Sequence, residues 1–294
     1  MSQYTIDQFS KITGLNKILI RTWENRYNFL TPKRSTTNIR TYDDYMLNKG
    51  IKYSILVENG HKISKLVNYK DEYLNELIEK TLINSNNSEQ KEQIYISKFI
   101  ESALLFDQEI FNKTYNSCIN EMVIISFYKN ILIKTMNKIS ILYLNNEITS
   151  ANEHFISENI RIKIAQKLAK ENEIEEKHNS WVLFLPENEF HDVSLLFTYL
   201  ILKRNKRNVI YLGQNTTRES LLKIKNNKTN FLFFINRKTT AEFSEKLYYF
   251  LSNNLSKSKI FVINNQNFIP KNFKNITNIN CIDNFIDLLK SSKI

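Results

Sequence analysis

The chain has 294 residues with 42% hydrophobic and 12% aromatic content, enough to pack two or three domains and too much for a disordered polyelectrolyte, although its net charge is +11. Two cysteines, Cys118 and Cys281, lie too far apart in sequence to suggest a disulfide framework or a thiolate metal cluster, and a reducing compartment fits them. No apolar run is long enough to span a bilayer and the start MSQYTIDQF carries no signal-peptide pattern, so the expectation is a cytoplasmic protein without a membrane partner.

The first segment is basic: residues 1–72 hold 12 basic and 7 acidic side chains. Thr5 followed by IDQFSKITGL predicts an N-capped amphipathic helix with Phe9, Ile12 and Leu15 inward, stopped at Gly14, where a left-handed turn is tolerated. A second helix follows in NKILIRTWENRY, residues 16–27, with Ile18, Leu19, Trp23 and Tyr27 at helical spacing and Lys17, Arg21, Asn25 and Arg26 nearer the other faces. Two short helices around a tight turn, the second one basic, describe a helix-turn-helix. Pro32 then breaks the helix, and Lys33, Arg34 and Arg40 sit in an extended, Thr-rich hairpin that forms a wing. Further helices are expected in YMLNKGIKYSILVENG, ending at Gly60, and in HKISKLV.

The run IRTWENRYNFLTPKRSTTNIRTYDD closely resembles the winged helix-turn-helix of the MerR family of transcription regulators, at Arg21, Trp23-Glu24, Arg26-Tyr27, Pro32, Arg34 and Arg40-x-Tyr42. That resemblance makes Lys17, Arg21, Arg26, Lys33, Arg34, Arg40 and Tyr42 the candidate DNA-contacting residues. Trp23 and Tyr27 are expected to pack the small core, and Glu24 to orient Arg26. MerR-like proteins dimerise through a helix after the winged domain and bind two half-sites, which implies a homodimer or a tetramer on double-stranded operator DNA.

Residues 73–93 read as a connecting helix, EYLNELIEKTL, and a polar linker, INSNNSEQKEQ. Residues 94–178 carry an unbroken helical pattern with polar interruptions, expected to make a bundle of four or five helices. Residues 73–180 are acidic, with 12 basic against 15 acidic side chains. Within this region LYLNNEITSANEHF brings Tyr143 near Glu153 and His154, although a lone His on a helix is more often structural than a ligand.

The last segment, residues 179–294, alternates strand and helix. Strands are expected at WVLFLP, NVIYLG, NFLFFI and KIFVIN, with helices at VSLLFTYLILKRN, TRESLLKIKNN, TAEFSEKLYYFLSNN and NFIDLLKSS. Such alternation predicts a doubly wound parallel sheet of Rossmann-like type, whose ligands lie beyond the carboxyl ends of the strands. Glu189 and His191 stand there, in the loop after the first strand. The whole is thus expected to be a multidomain α and α/β protein: winged helix-turn-helix, helical bundle, α/β domain.

In that order the parts resemble the light-responsive, cobalamin-dependent repressors of the MerR family. The resemblance implies adenosylcobalamin as cofactor, His191 in its E-x-H motif as metal ligand to cobalt, and a cap made by Tyr143, Glu153 and His154. Several family positions differ here. Ser194 replaces a Gly, Tyr143 a Trp and Leu144 a second His; NRKTT and Asn264-Asn265 replace a Ser-containing loop and a Gly-Gly that admits the nucleotide tail. Two readings follow: a cobalamin-sensing module, or a module that has kept the fold, lost the cofactor and serves protein interaction or oligomerisation. No phosphate loop or nucleophile elbow is present, and cobalamin enzymes need a further catalytic domain, so an enzyme is not expected.

Overall fold

The computed structural model describes residues 3–34, 38–85, 87–171, 180–224, 229–235, 240–264 and 273–291. The chain divides into two compact units, Met1–Glu158 and Asn159–Ile294.

The first unit opens with strand β1 (Tyr4–Thr5) and helix α1 (Ile6–Thr13). Thr5 caps α1 through a reciprocal capping box with Gln8, and Gly14 closes the helix at φ 80° in the left-handed region. Helix α2 (Lys17–Tyr27) is capped by the Asn16 side chain. Strands β2 (Lys33–Arg34) and β3 (Arg40–Tyr42) pair antiparallel, with Arg34 opposite Arg40, and β3 also pairs with β1, giving the order β1-β3-β2. The tip of this wing, residues 35–37, lies outside the described residues. Helix α3 (Asp44–Glu58) starts at an Asp43 cap, and α4 (Ile63–Leu66) and α5 (Asp71–Asn84) follow. The core of this part is a chain of aromatic rings: Phe9 lies 4.4 Å from Tyr42, Trp23 5.5 Å from Phe29, and Phe29 5.3 Å from Tyr53.

Two expectations are corrected here. On α2 the buried positions are Ile20, Trp23 and Glu24, whereas Ile18 and Leu19 are exposed. The periodicity of α2 fits two apolar stripes, and packing against α1 and Phe29 selects the one through Trp23. The polar stretch at residues 83–93 contains only a short break, because helix α6 (Ser88–Leu105) already begins at an Asn87 cap whose side chain accepts from the amides of Glu89 and Gln90. Its first turns are polar since only from Ile94 onward do its residues enter the core.

Helices α7 (Gln108–Glu121), α8 (Ile124–Phe127) and α9 (Ile133–Leu144) continue the helical segment, with a π-helical turn at Tyr128–Leu132 joining α8 to α9. At its centre Phe99 packs edge to face on Phe111 and Tyr115 on Phe127, while Phe111 stacks on Tyr115. Helix α10 (Ser150–Leu168) follows.

The second unit is built on a five-stranded sheet. Strands β4 (Ser180–Pro186), β5 (Val209–Thr216), β6 (Thr229–Ile235), β7 (Lys259–Asn264) and β8 (Ile276–Ile279) lie in the order β5-β4-β6-β7-β8, all parallel. Helices α11 (Val193–Arg204), α12 (Arg218–Leu221), α13 (Ala241–Asn254) and α14 (Ile282–Lys290) alternate with them. Side chains alternate across the pleat. Trp181 packs on Phe261 and Phe285 on one face, while Val182, Phe184, Phe231 and Phe233 meet Leu247, Tyr248 and Leu251 of α13 on the other.

This is the expected doubly wound sheet, with three differences. A fifth strand, β8, joins the edge: its four residues, ITNI, show too little periodicity to be read alone, yet Ile276 and Ile279 are buried beside β7. Strand β5 runs three residues past Gly213, where a register shift against β4 puts that glycine at φ 76° in a bulge. Only Arg218–Leu221 of TRESLLKIKNN is helical among the described residues. Among the described residues no helix is long and apolar enough to cross a membrane.

Candidate functional site

Helix geometry sets what α2 offers outward. At about 100° per residue, Ile18, Arg21, Thr22 and Asn25 share one face, opposite Ile20, Trp23 and Glu24. Arg21, Asn25 and Arg26 are exposed, and so are Lys33 and Arg34 on β2. Lys17 pairs with Asp7 of α1, and Arg34 donates through Nη1 to the Asn38 side chain, 2.8 Å. No carboxylate pairs with Arg21 or Arg26 among the described residues.

Glu24 is the organising residue of this surface, though not in the expected way. Its buried carboxylate accepts from Arg40 Nε at 2.9 Å and from the Tyr42 hydroxyl at 2.6 Å, so it holds the wing strand and not Arg26. Tyr42 is 0% exposed, and burial together with its bond to Glu24 pushes the phenol far above its ordinary range. A hydroxyl so enclosed cannot reach a groove; Tyr42 belongs to the support beneath the surface, with Arg40 half-buried at its margin. Trp23 is core as expected, and Tyr27 is half-buried.

A connection unforeseen from sequence ties this part to the helical segment. Lys11 of α1 forms a 2.6 Å ion pair with Glu147, whose side chain is only 4% exposed, and Gln8 donates to the Asn146 carbonyl at 3.4 Å. Both partners sit in the turn between α9 and α10. Just before that turn Tyr143 and Leu144 are exposed; just after it Glu153 and His154 are neighbours, 3.7 Å apart between Oε2 and Nε2, with His154 in solvent.

In the second unit the loop after β4 is tightly held. Glu189 Oε1 accepts from the amides of Phe190, 3.0 Å, and His191, 2.9 Å, and lies 2.6 Å from His191 Nδ1. Burial acts to raise this carboxyl, but those bonds and the His191 ring outweigh it and keep it below the ordinary carboxylate range. An ionised carboxylate can only accept, so His191 Nδ1 carries a proton, and in the neutral ring the lone pair is on Nε2. The ring is 65% exposed.

Residues not singled out from sequence brace the loop. Asn188 takes a left-handed φ of 64° and donates its amide to Asn215 Oδ1, while the Asn215 amide donates to the Glu189 carbonyl and Gln214 Nε2 to the Phe190 carbonyl. Asp192 is buried, accepts from the Tyr211 hydroxyl at 3.0 Å and lies 3.4 Å from Arg161. Ser194, in the first turn of α11, is half-buried and uses its carbonyl to accept from Thr198. With the chain-order pattern 2-1-3-4-5, the loop after β4 stands where the winding of the sheet reverses, the position at which such sheets bind ligands. Asn264, at the carboxyl end of β7, is buried; residues 236–239 and Asn265 lie outside the described residues.

Residues 4–71 match the family model described as MerR HTH family regulatory protein. Over 222 residues, 74% of this chain and 73% of the relative, the sequence is 23% identical to the HTH-type transcriptional repressor CarH of Myxococcus xanthus, so the similarity extends well past the winged segment. The HTH-type transcriptional regulator MlrA of Salmonella typhimurium is 27% identical over 90 residues, 31% of this chain and 32% of that protein. Among solved structures, the monomethylamine corrinoid protein of Methanosarcina barkeri superposes with a TM-score of 0.49 at 11% identity, over 67% of this chain and 96% of that one. Residues 4–71 are therefore a MerR-type helix-turn-helix domain, carried on one polypeptide with a helical segment and a parallel α/β unit.

Proposed function

We propose that the chain binds duplex operator DNA through residues 1–72, as a homodimer or tetramer in the cytoplasm, and that residues 179–294 sense a ligand of cobalamin type. Residues 73–93 connect the DNA-binding part to the helical segment at 94–178. The observation that supports DNA binding is the outward array of Arg21, Arg26, Lys33 and Arg34 on the MerR-type domain, with Arg40 held at its edge by Glu24. Phosphate contacts by such residues release counterions and make affinity fall with salt. In a titration of the full chain against duplexes selected from random sequence, Arg34→Ala should weaken binding to every sequence and reduce the salt slope by about 1. Unchanged affinity and slope would remove the wing from the contact surface.

For the sensing part, the carrying observation is the 2.6 Å Glu189–His191 pair at the reversal point of the sheet. A corrinoid, when bound, would supply a cobalt centre able to accept a nitrogen donor. His191 would hold it through the neutral imidazole, with Glu189 against Nδ1, while Asn215, Gln214 and Asp192 hold the loop in place. Tyr143, Glu153 and His154 are assigned to its cap.

A second reading is favoured by Ser194 and by buried Asn264, whose side chains take up room that glycine would leave for a nucleotide tail. In that reading the module serves protein interaction or oligomerisation. Visible absorption after dark incubation with adenosylcobalamin or hydroxocobalamin and desalting separates the two. A retained band that shifts in His191→Ala supports ligation; no retained band, from protein that still binds DNA, favours the second reading.

A further inference from the structure

Ile18 is 73% exposed on the second residue of α2, the most exposed apolar position of that helix. It is the one apolar side chain on the outward face, sharing it with Arg21, Thr22 and Asn25. Its neighbours are cationic: Lys17 precedes it and Arg21 lies one turn on. The first residues of a recognition helix are those that reach base edges, and in the major groove the only apolar feature of a base pair is the thymine C5-methyl group. A β-branched side chain with a single favoured helical rotamer presents a fixed apolar surface there. Burial elsewhere does not account for Ile18, because packing of α2 is satisfied by Ile20 and Trp23. The Thr22 hydroxyl donates to the Ile18 carbonyl, 2.8 Å.

We propose that Ile18 is a specificity-determining residue that reads a thymine methyl group in each half-site, a proposal that rests on the DNA-binding function above. Arg21 supplies the adjoining charged contact, so the methyl sits beside a neutralised phosphate or a guanine edge.

The test uses the full chain and a duplex selected by it from random sequence, with each thymine replaced in turn by deoxyuridine. Losing the contact with one methyl group corresponds to about fourfold in affinity per half-site. The expected result is that deoxyuridine at one position in a half-site weakens the wild type by that factor, that Ile18→Ala, which changes both half-sites of a dimer, weakens the thymine duplex as much as replacing both of those thymines, and that Ile18→Ala is indifferent to the replacement. Leu19→Ala, on the flank of the same helix, should keep the sensitivity to deoxyuridine. Ile18 being 73% exposed, Ile18→Ala should retain the wild-type unfolding midpoint. Indifference of the wild type to every replacement, or full deoxyuridine sensitivity in Ile18→Ala, overturns the assignment while leaving DNA binding intact. Failure to select any duplex overturns the DNA-binding reading itself, and this assignment with it.

Discussion

Glu24 shows how much one buried carboxylate can organise. It satisfies the Tyr42 hydroxyl and Arg40 together, so its removal leaves two buried or half-buried donors without an acceptor. Glu24→Ala should therefore lower stability by about 2–4 kcal/mol, while Tyr42→Phe, which deletes one donor only, should lose about 1 kcal/mol. Urea unfolding of the full chain measures both, and equal losses would show that Arg40 draws nothing from the pair. Glu101 on α6 is the opposite case. Burial raises its carboxyl above the ordinary range despite nearby Lys52 and Lys98 and a hydrogen bond with Asn48. A group whose folded value exceeds its unfolded one contributes its full stability only below the ordinary carboxylate value, and that contribution is lost as pH rises through the folded value. Glu101→Gln, a neutral mimic, should raise the urea midpoint at pH 7 and leave it unchanged below the unfolded carboxylate value; a lower midpoint at pH 7 would mean that the lysines hold Glu101 ionised. None of this was legible in sequence. Glu24 was expected beside Arg26, its neighbour on the helix, because spacing reports what lies along one element and not which strand will cross it.

Helix α3 illustrates a conflict between local and tertiary preference. Gly50 sits in its interior, where alanine would ordinarily gain about 1 kcal/mol. Here a Cβ would stand 2.4 Å from Phe9 Cζ and 3.0 Å from Thr13 Cγ2, and the Phe9 ring is itself fully buried against Tyr42. The ring has nowhere to go, so Gly50→Ala should destabilise by about 1–3 kcal/mol in spite of its helix propensity, and a raised thermal midpoint would refute the close approach of α1 to α3. The elements most legible in advance were those whose signals are local: the Thr5 cap, the Gly14 stop, the continuous apolar strand WVLFLP. Strand β8 and the start of α6 escaped because ITNI and SEQKEQ carry little pattern of their own and are fixed by β7 and by the Asn87 cap. The loop after β4 was legible in Glu189 and His191; its bracing by Asn215, Gln214, Asp192 and Tyr211 was not, since those contacts come from the far end of β5 and from the carbonyls of the loop.

At the scale of the first unit, α1 and the turn after α9 are bound by Lys11 and Glu147. Glu147 Oε2 is buried and has no hydrogen-bond partner among the described residues, so the carboxylate depends on Lys11 alone for charge compensation. Lys11→Ala should cost about 1–3 kcal/mol, more than a surface ion pair, and the loss should be largely relieved in Lys11→Ala combined with Glu147→Gln. A strictly additive double variant would show that the two do not act on each other. Helix α3, for its part, turns Leu47, Asn48 and Ile51 toward Glu101 and Leu104 of α6. Evolutionary shuffling of regulators is usually pictured as the exchange of heads, cut where the DNA-reading motif ends. In this chain a break after residue 72 would carry away half of a shared interior, leaving an oily back on one piece and an orphaned carboxylate on the other. A chimera joined beyond the end of α10, so that residues 4–168 stay together, should fold where one spliced at the motif's edge should not.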